Sequence, residues 1–287
     1  MPCHPSRSVP AHRPRRQRRS RAAPWSPATL AALALLGGVA DAAADEADDT
    51  DADLPLSFAT LGPDGLASRA TVQLAMEVSD GRNPDVIRFD LGGQYVTPGR
   101  TAAYAAAAIA VFGDIEAVSD LEVGGLARRW WRDVDTALRV GLVLPTASGG
   151  DGDAVVGTFA TVRLRPSDTA TWTPATWIRL AAAPLRRTGR VVLRADVGLD
   201  VAVLGDPPAR VLAHVDVGAG VELGSAAVTG ELQTASTGGG LGAVLAVSVQ
   251  GRGGRLTPYA TASLPFGPAA DDVIAGYNLA AGFRIGI

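Results

Sequence analysis

Between Arg69 and Ile287 the chain reads as a succession of short runs in which apolar and polar residues alternate one by one. In RATVQLAMEVS (69–79) Val72, Leu74, Met76 and Val78 share one parity and Arg69, Thr71, Gln73 and Glu77 the other. VIRFDLGGQYV (86–96) sets Ile87, Phe89, Leu91 and Tyr95 against Arg88, Asp90 and Gln94. In TALRVGLVLP the apolar row is Leu138, Val140, Leu142 and Leu144, with Arg139 on the other face, and in VGTFATVRLR Val156, Ala160, Val162 and Leu164 oppose Thr161, Arg163 and Arg165. VVLRADVGLDVAV places Val191, Leu193, Val197, Leu199 and Val201 opposite Arg194, Asp196 and Asp200, and VLAHVDVGAGVEL opposes His214, Asp216 and Glu222 to Val211, Val215, Val217 and Val221. A period of two is the signature of a strand with two unlike faces; a helix would repeat its apolar residues at three and four. The Ala-rich TAAYAAAAIAVFG (101–113) has helical propensity, but the Pro98-Gly99 turn before it makes it a strand as well.

About twelve such runs (range 10–14) follow one another with no second texture. Tight connections such as TPGR (97–100) and GS (224–225) alternate with longer ones such as TASGGDGD (146–153) and FGPAADD (266–272). That is an antiparallel up-and-down meander, an all-β fold. The last run, GYNLAAGFRIGI, carries its apolar row, Tyr277, Leu279, Phe283, Ile285 and Ile287, to the final residue, with Arg284 on the other parity. A chain that ends in mid-strand needs a partner for that strand, and a closed barrel supplies one by pairing last with first.

Three architectures share this pattern. A soluble sandwich or barrel turns its apolar rows inward, whereas a membrane barrel turns them to lipid and its polar rows to a lumen. Composition favours the membrane. The apolar rows are Val, Leu and Ala with aromatics at only 5%, and the polar rows mix Arg with Asp and Glu. The expected fold is a transmembrane β-barrel over residues 69–287 closed by its C-terminal strand. Trp130, Trp131, Trp172, Trp177, Tyr95 and Tyr259 lie near strand ends, where an interfacial aromatic girdle would be.

Charge divides the chain in two. Residues 1–42 hold seven Arg and one Asp; removing them from totals of 26 and 29 leaves 19 Arg against 28 acids, a charge of −9. A basic leader, the apolar core WSPATLAALALLGGV and Ala40-Asp41-Ala42 match an export signal over residues 1–42, and the apolar run is too short for a spanning helix. Residues 43–68 open with AADEADDTDADLP, which reads as an acidic, largely disordered linker. Every basic residue is Arg, and the body is acidic, which argues against nucleic acid as a partner. Cys3, the one cysteine, leaves with the leader, so disulfides and thiolate metal sites are excluded from the exported chain.

Residues 114–150, DIEAVSDLEVGGLARRWWRDVDTALRVGLVLPTASGG, resemble outer-membrane proteins of the meta-pathway phenol-degradation transporter family. That family shows an Asp-Leu-x-x-Gly strand, matched by Asp120, Leu121 and Gly124, and a strand ending Leu-Pro-Thr-Gly, matched by Leu144, Pro145 and Thr146, with the glycine delayed to Gly149. The terminal AGFRIGI is also similar, although Ile287 stands where outer-membrane barrels usually end in Phe. The resemblance implies a barrel of about twelve strands that takes up small apolar compounds, and the terminal strand, which resembles the C-terminal signal of bacterial outer-membrane proteins, implies the β-barrel assembly machinery as a partner.

Catalytic chemistry has little material. The exported chain has one histidine, His214, on the face of Asp216 and Glu222, where a lipid ester could not reach it. Asp151-Gly152-Asp153 offers two carboxylates, too few for a calcium site, and GGGLG at 238–242 lacks the Lys-Ser/Thr of a phosphate loop. No enzyme, cofactor or metal is expected. The expected functional surface is the lumen, lined by Arg88, Asp90, Arg139, Arg163, Arg165, Arg194, Asp196, Asp200, His214, Asp216 and Arg284. The function that follows is an outer-membrane channel or uptake barrel for small molecules, apolar or aromatic ones included, with outer-membrane lipid as its surroundings. A non-transporting structural or adhesion barrel and a secreted soluble binding barrel are the alternatives.

Overall fold

The computed structural model describes residues 55–78, 86–112, 115–146, 166–205, 207, 210–237, 240–266 and 277–287. The leader 1–42, the acidic run 43–54, the alternating run VGTFATVRLR with Arg163 and Arg165, the Asp151–Asp153 pair and the first two glycines of GGGLG lie outside the described residues.

Thirteen strands are described: β1 (Arg69–Val78), β2 (Val86–Val96), β3 (Thr101–Phe112), β4 (Ile115–Val118), β5 (Leu121–Trp131), β6 (Val134–Leu144), β7 (Thr176–Thr188), β8 (Val191–Leu204), β9 (Val211–Leu223), β10 (Ala226–Thr237), β11 (Gly240–Gly251), β12 (Leu256–Phe266) and β13 (Tyr277–Gly286). Each pairs antiparallel with its neighbours, β13 with both β12 and β1, so the sheet closes on itself as a barrel of twelve strands. The thirteenth strand arises because β4 and β5 share the partner β3 and are one strand interrupted at Ser119-Asp120. There the Ser119 Oγ takes over a ladder position by accepting from the Ala108 N–H at 2.7 Å. β6 pairs directly with β7. The Ala-rich run is strand β3, where the sheet environment overrides helical propensity.

Tight turns join β2 to β3, β5 to β6, β7 to β8, β9 to β10 and β11 to β12, all at one rim. The two ends of the closing seam meet at that rim, Arg69 opposite Gly286. The chain end is tied down there: the Gly286 N–H donates to Arg255 O at 2.7 Å and the Ile287 N–H to Ser68 O at 3.4 Å. Backbone pairing to the last residue accounts for the apolar terminus seen in the sequence.

The two faces are inverted relative to a soluble protein. Leu74, Val140, Leu199, Val215, Leu245 and Phe283 are 47, 58, 47, 51, 48 and 48% exposed, whereas Arg88, Arg194, Asp196, His214 and Arg284 are 5% exposed or less. A soluble barrel would bury the first set, so that alternative is excluded by the direction of the rows. The aromatic expectation is met at one place only. Trp130 and Trp131 are 55 and 78% exposed at the tight-turn rim and Tyr95 is half-buried beside that rim, but Trp172, Trp177 and Tyr259 are buried in the interior.

Residues 55–68, expected to belong to the linker, instead lie inside the barrel. Leu56, Phe58 and Leu61 pack with Val192, Ala227 and Leu185. Residues 43–53 are acidic with only alanine among their apolar residues, and large apolar residues begin at Leu54, so composition changes where the buried segment starts. The segment rises from Arg69 at the tight-turn rim and returns to that rim beside Val192 and Ala227, the second residues of β8 and β10. Its two limbs are joined by the Ser57 hydroxyl, which donates to Asp64 at 3.3 Å.

Candidate functional site: an occluded, charged lumen

Alternation along the strands sends every second side chain inward, and in this chain those positions carry the ionisable groups. Asp196 on β8 is the hub of one cluster. It accepts from Arg139 at 2.7 Å and from Arg194 at 3.3 Å, and His214 Nε2 lies 3.6 Å from it. His214 sits over Gly198, its register partner, because glycine leaves room for the ring. Asp216 faces Asp196 across the β8–β9 pair.

A second cluster centres on Arg179, which donates to Glu122 at 2.6 Å and to Asp200 at 2.9 Å. A third runs across the closing seam. Arg284 lies over the Tyr259 ring at 4.2 Å and donates to Gln250 at 2.5 Å; Tyr259 donates to Gln73 at 2.8 Å, and Gln73 to Asp90 at 3.1 Å. Asp90 accepts from Arg88 at 2.6 Å, and Arg88 reaches on to Asp168 at 2.8 Å. Asp168 belongs to the 3-10 helix Pro166–Trp172, which the connection from β6 to β7 sends into the barrel. The strand break at Ser119-Asp120 holds that helix, since the Asp120 N–H donates to Thr171 O at 2.6 Å.

The inserted segment 55–68 is gripped mostly by its main chain. Ala59 and Thr60 N–H groups donate to Glu231 at 3.0 and 2.8 Å, and the Thr60 hydroxyl donates to the same carboxylate. Arg194 donates to Gly62 O at 2.7 Å, and Arg139 to Pro63 O at 3.3 Å. Asp64 accepts from Arg69, Gln94 and the Leu66 N–H at 2.9, 2.9 and 3.0 Å. Burial by itself would raise the Asp64 carboxyl, but Arg69 and Arg194 together with these donors hold it well below the usual carboxylate range. Between segment, helix and wall remains a cavity of about 160 Å³. It touches Arg88, Tyr104, Asp120, Arg179, Asp216 and Arg284 among others.

Of the residues expected to line the lumen, Arg88, Asp90, Arg139, Arg194, Asp196, Asp200, His214, Asp216 and Arg284 are buried inside the barrel; Arg163 and Arg165 lie outside the described residues. In the closing strand Tyr277, Leu279, Phe283 and Ile285 are 41–49% exposed on the outer face, and Ile287 follows the strand half-buried. The structure adds Arg69, Glu122, Arg179 and Glu231. Arg179 could have been found by parity with Trp177 and Ala181 against Ile178 and Leu180. Tyr104 had no such signal: its ring fills the interior because Gly124 and Gly141 lie beside it without side chains.

No family model and no curated protein sequence matches the chain. Solved structures do. The COG4313 outer membrane channel from Pseudomonas putida F1 aligns with a TM-score of 0.54 at 10% identity, over 82% of this chain and 100% of that one. The NanC porin aligns with a TM-score of 0.52 at 10% identity, over 76% and 100%. The KdgM porin gives 0.48 at 9% identity, over 76% and 99%. At such identities the first two likenesses show the fold alone, a closed antiparallel β-barrel.

Proposed function

We propose that the chain is an outer-membrane channel for the uptake of small solutes, apolar and aromatic ones included, whose narrow charged lumen is closed here by residues 55–68. The reading rests on one observation: Val and Leu rows face outward while ion-paired Arg, Asp and Glu surround an interior cavity. Such a surface belongs in hydrocarbon and such an interior holds water. The tight-turn rim with both strand termini would face the periplasm, consistent with export by residues 1–42 and insertion by the β-barrel assembly machinery. The aromatic part of the substrate reading comes from the meta-pathway resemblance. Catalysis is not part of the proposal, because His214 is engaged with Asp196 inside the wall.

The test is reconstitution into planar bilayers together with liposome swelling over a panel of small phenols, sugars and amino acids. Discrete current steps and faster swelling with some solutes are expected. Silence in both, also after removal of residues 43–63, would leave the structural-barrel reading, which the filled lumen favours.

A further inference from the structure

The tight-turn rim carries one compact patch that transport does not use. The β2–β3 and β5–β6 turns are neighbours, tied by the Arg128 N–H donating to Arg100 O at 2.8 Å. They present Arg100, Arg129 and Arg132 exposed, beside Trp130 and Trp131 at 55 and 78% exposure. The Arg100 guanidinium stands 5.6 Å from the centre of the Trp130 ring. Arg186 from the adjacent β7 is exposed next to them, bridged to Asp133 at 2.5 Å, the one acid of the group. Four arginines against one aspartate leave the patch at +3.

A second observation singles out the same residues. Among the described residues only two that are not glycine have a left-handed backbone, Arg100 (φ 62°) and Arg132 (φ 56°). Glycine holds that conformation at Gly189 and Gly224, which occupy in the other two-residue turns the position of Arg132. A side chain there costs on the order of 1 kcal/mol, so a turn shaped only for folding would use Gly or Asn. Both exceptions are arginines, and both belong to this patch.

We infer that this patch binds the headgroup of an anionic phospholipid. The inference rests on the membrane reading above. Guanidinium forks match phosphate oxygens, indole rings settle at the headgroup level, and a surplus of three positive charges selects a net-negative lipid over a zwitterionic one. Above the patch the outward row of β6 becomes strongly exposed and apolar from Leu138 onward. The acidic run of this chain is the less suitable occupant. Residue 55 lies next to Leu56, which packs with Val192 and Ala227 on the β8–β10 side of the rim.

The test is native mass spectrometry of the reconstituted full chain extracted with equimolar phosphatidylglycerol and phosphatidylcholine. The comparison is with an Arg100→Gly, Arg129→Gln, Arg132→Gly variant. Glycine suits the left-handed turns, so the variant should fold with an unchanged or higher thermal midpoint. Each arginine near an anionic surface carries roughly a fivefold preference. The expected result is a phosphatidylglycerol preference of at least fivefold in the natural chain, falling below about twofold in the variant. Arg255→Gln should leave the preference intact. An inserted protein with equal retention of both lipids, or a preference surviving in the variant, overturns the inference alone. A chain recovered in the aqueous phase without detergent overturns the membrane reading with it. If removing residues 43–54 creates a preference that the full chain lacks, the acidic run occupies the patch and the lipid assignment fails.

Discussion

Replacing Val140 by Arg asks directly what surrounds the barrel. Val140 is 58% exposed, six residues from the tight-turn end of β6 and four from the other. With about 3.3 Å per residue and a tilt near 40°, eleven residues rise roughly 25 Å, the height of the apolar band of an outer-membrane barrel. Val140 therefore stands within a few ångströms of the midplane. In water an exposed Val→Arg change is nearly neutral, within about 0.5 kcal/mol. In hydrocarbon it costs about 2–4 kcal/mol at the midplane and falls to about 0–1 near the interface. Leu204, 68% exposed at the far end of β8, supplies the interfacial comparison. Urea unfolding in phospholipid vesicles, followed by intrinsic fluorescence, should rank Val140→Arg well below Leu204→Arg and the natural chain. If both variants unfold within about 0.5 kcal/mol of the parent, the outward rows do not face lipid and the membrane argument fails.

Four further outcomes follow from the interior. Asp196→Asn leaves Arg139 and Arg194 buried without their carboxylate, and should cost about 3–5 kcal/mol in the same unfolding assay. Gly282→Ala places a methyl against the Val72 carbonyl across the closing seam; overpacking should cost about 1–3 kcal/mol and speed the loss of heat-resistant mobility on gels. Glu231→Leu removes the acceptor of Ala59 and Thr60, weakening the hold on the inserted segment roughly tenfold or more, read as faster proteolysis within residues 55–68 and a higher open probability. The depressed Asp64 carboxyl contributes stability fully above the ordinary carboxylate range, and that contribution is lost only as pH falls through its lowered folded value. Asp64→Asn should therefore weaken retention of the segment at pH 7, measured by proteolysis, while acidifying the natural chain to pH 5 leaves this anchor in place.

The barrel was legible because an outward-facing apolar wall repeats one physical rule on every strand. Val191, Leu193, Val197 and Leu199 must be apolar for the same reason, so the alternation repeats and the errors of any one run cancel. Closure was legible from Phe283, Ile285 and Ile287 for a related reason: an unpaired edge in hydrocarbon is too costly to exist. The interior obeys no such repetition. Trp172 looks like a girdle residue by position along the chain, and only the 3-10 helix sent into the barrel shows it inward, whereas Trp177 and Tyr259 share parity with Arg179 and with Thr257 and Thr261, a signal that position along the chain overlooks. The inserted segment escaped because fourteen residues without period carry no local signal. Its apolar anchors meet Gly218 and Gly220 more than 150 positions later, and pairings at that separation are invisible to a local pattern.

How residues 55–68 are held also bears on what the lumen can admit. Their polar contacts go mostly through the main chain, to Glu231, Arg194 and Arg139, and although on release each of those groups meets water instead, a bond to a charged partner still contributes about 1.5–3 kcal/mol net. The remaining hold is apolar: Leu56, Phe58 and Leu61 lie against an inner wall made receptive by Gly218 and Gly220. Burial of each such side chain contributes about 1.5–3 kcal/mol, so the three form a substantial apolar share of the hold. With the segment in place the cavity of about 160 Å³ is smaller than the roughly 300–1,000 Å³ of drug-sized ligand sites. A larger solute must displace the segment. Only a solute with apolar surface recovers what Leu56, Phe58 and Leu61 lose, whereas a sugar or an ion leaves the glycine-lined wall wet. On the channel reading this contact therefore favours small apolar and aromatic compounds over strongly hydrated ones, independently of the charges that surround it.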